Sequence, residues 1–354
     1  MRGSAAIVGG GIGGLAAAGA LHRAGWQVTL FERETGISGA GTALGMWPSA
    51  LAALDTIGVG SRVRALGTPQ ASAEFLRADG SRIGTLSAER LRRRTGDPVY
   101  LLSRPALLRL LYAAAPASAL RFGVAVDDTA SLRDVFDVVI AADGIFSRTR
   151  AQLFDNRFSA RYTGVTAWRG WIDHRPTDTL VETWGRGTKF GITPQEGGRT
   201  NWYATAVAAE GTFSPGQELT RLRELFGRWR GPVRDVLGAI VEDQVLRHDL
   251  YVVPRLPTYV HGNVALIGDA AHAMTPDLGR GACEAIIDAV ALAERLAASS
   301  TVDAALTRYD QRRRRRTQRL ATAAAGASRL TRWTHALRCR DGLLRMSLLV
   351  PPPA

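Results

Sequence analysis

The chain is expected to be an α/β protein, with parallel strands and helices at its two ends and an antiparallel sheet in its middle. Three observations carry that expectation. The first thirty residues run strand, glycine turn, helix, strand. The stretch from Asn263 repeats the order strand, glycine turn, helix. Between them, from about Tyr162 to Val207, aromatic residues fall in short alternating runs punctuated by Gly and Pro, the pattern of an antiparallel sheet.

Ser4 to Val8 is a short apolar run followed at once by Gly9-Gly10-Gly11-Ile12-Gly13-Gly14. Leu15, Leu21 and a series of alanines then give a helical pattern that stops at Gly25, and Trp26 to Phe31 is a second strand ending on Glu32. In this G-x-G-x-x-G register Gly9 allows the tight turn, Gly11 lets backbone approach a pyrophosphate, and Gly14 lets helix and strand pack closely. The helix start offers free N–H groups and a partial positive charge to phosphate. Glu32 is placed to accept ribose hydroxyls. A dinucleotide site follows from the agreement of all these parts, with NAD and FAD both open.

Composition narrows the class. A chain of 354 residues, 46% hydrophobic and 22% charged, is long enough for a large core and has an ordinary globular balance. Glycines break the apolar start, so no signal peptide is expected. Asp288, Glu294 and Arg295 interrupt the longest apolar stretch, Ala285 to Ala298, so no membrane span is expected. Two cysteines are too few for a disulfide framework or a metal site, which suits a reducing cytoplasm. The net charge of +13 is almost entirely arginine, with Lys189 the single lysine, and no nucleic-acid motif accompanies it. Nucleic-acid binding is therefore not expected.

Taken in order, Gly36 to Trp47 is a glycine-rich loop suited to backbone lying close to a ligand, and Pro48 to Ile57 is a helix. Ala73 to Leu76 and Arg82 to Leu86 flank Asp79-Gly80 as a hairpin. Arg90 to Arg94 is a charged, solvated segment. Ser103-Arg104-Pro105 starts a helix. Leu120 to Val126 and Asp137 to Ala141 are expected strands, the second ending in Asp143-Gly144 with Ser147 and Arg150 a turn later. Six aromatics (Trp168, Trp171, Trp184, Phe190, Trp202 and Tyr203) suggest that one face of the middle sheet covers a planar ligand, or that they form its core. Gln217 to Leu237 is helical with a break at Gly231-Pro232. Asn263 to Ile267 is a buried strand ending in Gly268-Asp269, and Gly279 and Gly281 precede a helix from Ala282 to about Ala298. Val302 to about Leu330 is a long helix. Its Arg313 and Arg316 are expected to lie along the apolar stripe with their charges reaching outward, in preference to a membrane or polyanion patch. Pro351 to Pro353 look disordered.

Three motifs in order, GGGIGG, DGIFSRTR from Asp143 and GDAAHAMTPDLGRG from Gly268, resemble those of the single-component class A FAD-dependent monooxygenases, the flavin aromatic hydroxylases. The resemblance runs from Ser4 to about Arg319. It implies a doubly wound FAD domain (1–70, 100–155 and 255–320) interleaved with an antiparallel β-sheet substrate domain (71–99 and 156–254), with a C-terminal helical tail (321–354). By resemblance Gly9, Gly11 and Gly14 face the pyrophosphate, and Glu32, with Arg33 beside it, faces the adenosine ribose. Arg104 approaches the flavin side, Asp143 belongs to a motif associated with FAD and NAD(P)H, and Asp269 binds the central FAD chain. Pro276, Gly279, Gly281 and Ala282 lie in the loop facing the isoalloxazine. The implied chemistry is flavin reduction by NAD(P)H, then O2 addition to give a C4a-hydroperoxyflavin that hydroxylates or epoxidises a small aromatic, heteroaromatic or polyketide-like substrate. A reductase or dehydrogenase without oxygen insertion is the alternative.

Two departures bear on the site. Arg280 stands where the family usually has Gln, putting a cation near the flavin loop or the pyrophosphate. Asp277 stands where many members have Asn, and either orients or deprotonates a substrate N–H or O–H or caps its own loop. Arg169, Lys189, Asn201 and Asp277 are the candidate pocket residues, with Asp277, Arg169 and Lys189 the catalytic candidates. Which face of the sheet they occupy depends on register, since a one-residue slip reverses it. His272 is expected to be structural. No metal site is expected, and the oligomer is open between monomer and homodimer.

Overall fold

A computed structural model describes residues 3–39, 41–87, 89–173 and 178–349; the side chains of 90, 91, 94 and 349 are outside it, as is the expected disordered stretch Pro351 to Pro353. A six-stranded sheet runs in the order Val260–His261, Val264–Leu266, Val138–Ala141, Ser4–Val8, Gln27–Glu32, Leu120–Phe122. All its pairings are parallel except that of Val260–His261 with its neighbour. The first strand is buried from Ala5 to Val8 because side chains from helices pack on both faces of the sheet, which is why its sequence is a continuous apolar run. Helix Ile12–Arg23 packs on Gly281–Ala298 through alanines that allow close approach. Expected strand Leu120 to Val126 ends instead at Phe122, where Gly123 takes a φ of 73°.

The second sheet has seven strands: Leu246–Val252, Arg161–Ile172, Thr200–Val207, Thr188–Pro194, Leu180–Trp184, Ser72–Arg77 and Arg82–Ser87. Its neighbours are antiparallel except Leu180–Trp184 beside Ser72–Arg77. The hairpin at Asp79-Gly80 lies where the sequence puts it. One face is sealed by helices Glu218–Phe226 and Pro232–Ala239, whose apolar sides meet Trp168, Ile172, Phe190, Ile192 and Trp202. A third sheet, Ala43–Met46, Tyr100–Ser103 and Thr68–Pro69, bridges the two.

Helix Val302–Thr331 runs unbroken through residue 320, where the sequence reading divided nucleotide domain from tail. Helix Leu337–Leu349 then lies on the outer edge of the seven-stranded sheet, with Leu344 against Ile83 and Trp184. Arg313 corrects an expectation. It is 2% exposed rather than reaching outward, because Glu284 and Asp288 of the preceding helix meet it at 2.5 Å each. Among the described residues no helix is long and apolar enough to cross a membrane.

Candidate active site

The glycine turn follows the geometry its spacing demands. Gly9 has a φ of 104°, and a Cβ on Gly14 would overlap the Gly9 carbonyl oxygen. A Cβ on Gly11 would meet nothing within 4 Å. Glu32 accepts hydrogen bonds from the N–H groups of Gly10 at 2.5 Å and Glu34 at 2.9 Å, which fixes the strand end against the turn. Arg33 lies in solvent against Glu34 at 3.4 Å.

Asp143 sits beside Gly9, accepts from Thr149 N–H at 3.0 Å, and keeps its buried Oδ1 without a protein partner. Arg150 donates to the carbonyls of Ile145, Phe158 and Ala270, fastening this loop to the one that carries Asp269. Asp269 is open to solvent, yet burial raises its carboxyl pKa against the pull of His272, Arg104 and Arg150. That combination describes a residue on the floor of a cleft. Burial lowers the Arg104 pKa, while the charges of Asp269 and Glu32 oppose it. Of the glycine-rich loop, Gly41 has a φ of 137° and lies so close to Arg104 that a Cβ would sit 2.9 Å from its side chain.

At the other end of the cleft the turn Pro276–Leu278 leads through Gly279, φ 60°, to helix Gly281–Ala298. A Cβ on Gly281 also meets nothing within 4 Å. This helix and Ile12–Arg23 start with no side-chain cap, whereas the helices at Arg104, Arg148 and Val302 are capped by Ser103, Ser147 and Thr301. Two helix starts with open space at Gly11 and Gly281, and the unpartnered oxygen of Asp143, fit a long anionic dinucleotide. Arg280 turns inward instead of toward that space. It bonds Glu284 at 2.8 Å and Ser49 at 3.1 Å and lies 5.2 Å from the Trp47 ring centre. His272 is buried on Asp288 at 2.5 Å.

Pairing register assigns the faces of the seven-stranded sheet. Trp168, Phe190 and Trp202 face the covering helices, and Trp184 packs against Phe75 and the C-terminal helix. The six aromatics therefore do not form one ligand-covering face; Trp171, Trp184 and Tyr203 share the face that carries Lys189. Arg169, Tyr203, Gly191 and Glu182 form one transverse row. A Cβ on Gly191 would overlap the Tyr203 ring, which crosses that strand to donate to Glu182 at 2.5 Å. Trp184 Nε1 donates to the other Glu182 oxygen at 2.6 Å.

Lys189 lies between two carboxylates, 2.9 Å from Asp277 and 3.5 Å from Glu182, with its side chain 5% exposed. Burial alone would lower its pKa, but Glu182 and Asp277 outweigh that and raise it. Tyr203 is pushed well up by burial and by the Glu182 charge, so it remains a neutral donor. Asn201 accepts from Ala43 N–H at 3.0 Å and donates to Thr193, stapling sheet to glycine-loop strand. The structure thus brings Lys189 and Asp277 into contact and puts Arg169 on the same wall. Glu182 is the partner that sequence reading missed. Its signal is a glycine paired between it and an aromatic two strands away, visible only once pairing is known.

The family model for the FAD binding domain matches residues 2–138 and 135–324. The aurachin C monooxygenase/isomerase of Stigmatella aurantiaca is 32% identical over 96% of this chain and 93% of its own length. The FAD-dependent urate hydroxylase of Klebsiella pneumoniae is 28% identical over 87% of this chain and 85% of its own. Klebsiella pneumoniae HpxO, solved in complex with FAD and uric acid, superposes with a TM-score of 0.88 at 25% identity, covering 98% of this chain and 92% of that one.

Proposed function

The chain belongs to the FAD binding domain family, and from that premise we propose that it is an FAD-dependent monooxygenase, using NAD(P)H and O2 to add one oxygen atom to a small heteroaromatic substrate. The observation that supports this best is the Lys189–Asp277 pair. It joins the seven-stranded sheet to the turn that opens an uncapped helix end, which supports a carboxylate where cofactor and substrate spaces would meet.

Gly9, Gly11 and Gly14 would shape the pyrophosphate seat, with Glu32 at the ribose and Asp143, Asp269 and Arg104 along the cleft. Pro276, Gly279, Gly281 and Ala282 would line the ring end. When bound, FAD supplies electron transfer from NAD(P)H and activation of O2. The Gly281–Ala298 N-terminus favours negative charge placed against it. Asp277 accepts the proton of a ring N–H or O–H, making the ring more electron-rich. Lys189 fixes the position of Asp277 through their contact, while Glu182 and Tyr203 hold Lys189 in place. The buried sheet wall excludes water from that exchange.

The test is to purify the protein, record its visible spectrum, and follow NAD(P)H consumption across a panel of aromatics and heteroaromatics under labelled O2. A flavin spectrum and one labelled oxygen in the product support the reading. Substrate-dependent consumption with unlabelled product replaces it with a reductase or dehydrogenase.

A further inference from the structure

Two carboxylates, Glu284 and Asp288, are buried one turn apart near the start of helix Gly281–Ala298. Arg313 of the following long helix reaches both, Nη2 to Glu284 and Nε to Asp288, at 2.5 Å each. One arginine cannot cancel two acids. The second cation is Arg280, which immediately precedes the helix and bonds the other Glu284 oxygen at 2.8 Å. His272 closes the row on Asp288 at 2.5 Å. Burial alone would raise the Glu284 pKa, but Arg313 and Arg280 hold it below the ordinary range, as Arg313 and His272 do for Asp288, so both acids are ionised. Arg280 is a costly way to make these contacts. Besides Glu284 it donates to Ser49 at 3.1 Å, while its buried Nε and Nη1 meet no hydrogen-bond partner among the described residues. A buried donor without an acceptor is destabilising, and the glutamine expected at this position would bury fewer N–H groups. What arginine adds is charge.

The helix start is where that charge matters. Its free N–H groups favour negative charge, and the space at Gly281 is open. Buried carboxylates in the first two turns oppose that field unless cations cancel them. Resting on the monooxygenase reading above, we propose that Arg280 is a positioning residue for flavin reduction: it completes a four-charge balance with Glu284, Arg313 and Asp288, and so keeps the helix start favourable to the negative charge that bound flavin gains. Without the Arg280 charge the row holds one excess negative charge in a dry interior. Without the Glu284 charge it holds one excess positive charge. Without both, Arg313 and Asp288 still balance. Two opposite errors therefore cancel, which two losses of packing do not do.

The midpoint potential of flavin in the holoprotein is measured against a reference dye, without O2, in wild type and variants. A unit charge about 10 Å from another in a protein interior changes an equilibrium about ten-fold or more. Arg280→Gln should therefore weaken binding of reduced relative to oxidised FAD about ten-fold, which lowers the potential by about 30 mV. Glu284→Gln should raise it on the same scale. The double variant Arg280→Gln with Glu284→Gln should return to the wild-type ratio of affinities within about two-fold, and Arg280→Lys should keep it. An unmoved potential in an Arg280→Gln protein that retains flavin, or shifts of one sign that add in the double variant, overturns the inference. Should Arg280→Gln not fold, a fallen potential in Arg280→Lys or no rise in Glu284→Gln overturns it equally. The expected pattern with no labelled oxygen in any product would support the charge balance and overturn the monooxygenase reading instead.

Discussion

Replacing Lys189 by methionine leaves Glu182 and Asp277 in a dry wall with no cation between them. Removing one member of a buried ion pair typically costs about 3–5 kcal/mol, since the stranded charge keeps its desolvation penalty. Lys189→Met is expected to lose stability on that scale in chemical denaturation; a change below about 1 kcal/mol would mean that the charges are already hydrated. Asp277 and Lys189 were legible as candidates from residue type and from position in the motif. Glu182 was not, because a lone acid in an alternating strand looks the same on either face until its neighbours are known. Arg313 misled for a related reason. Helical periodicity put it near the apolar stripe, but periodicity on one helix cannot show two acids waiting on another.

At the scale of elements, the opening strand–turn–helix was readable because its constraints are local: each glycine serves a contact within a few residues or one strand away. The two glycines of that turn separate folding from binding. Gly11→Ala adds a methyl group where protein offers no atoms, at a φ of −74° that alanine adopts freely. It should leave apo stability within about 1 kcal/mol of wild type while lowering flavin affinity, as read by flavin release on dilution. Gly14→Ala drives a methyl group into the Gly9 carbonyl and should destabilise the apoprotein itself. Equal effects on folding from both would contradict this division.

Helix Gly281–Ala298 supplies the second element-level case. Burial alone would raise the Asp288 pKa, but Arg313, His272 and the Gly268 N–H hold it at about 2, against an ordinary 3.8. A carboxyl with a lowered folded pKa adds stability above its unfolded value and loses it as pH falls through the interval between the two. The interval corresponds to about 2 kcal/mol. Stability should therefore drop between pH 4 and pH 2, and Asp288→Asn should remove about one proton from that slope. An identical slope in the variant, measured by denaturant midpoint against pH, would contradict the assignment.

Across the whole molecule, helix Val302–Thr331 spans about 45 Å at 1.5 Å per residue and is fastened to both halves. Arg313 ties it to the nucleotide half, while Arg332 donates to Thr163 at 2.6 Å and Trp333 accepts from Gly187 at 3.1 Å on the sheet half. The division at residue 320 follows motif coverage, and motifs say nothing about a helix that continues beyond them. The two halves should accordingly unfold together. Tryptophan emission, to which Trp168 and Trp202 contribute from the sheet half and Trp26 from the nucleotide half, should change in one transition with far-ultraviolet ellipticity, and FAD at one hundred times its Kd should shift both by about 2.7 kcal/mol. Two separated transitions would refute the coupling.

The arginine-for-lysine bias leaves the chain with a single side-chain amine, and it is shut inside the wall. An acylating reagent of the succinimidyl-ester kind reaches that nitrogen only when sheet and turn part. Mass added at Lys189 over time is therefore a chemical clock for cleft opening, readable from one peptide and without any engineered label.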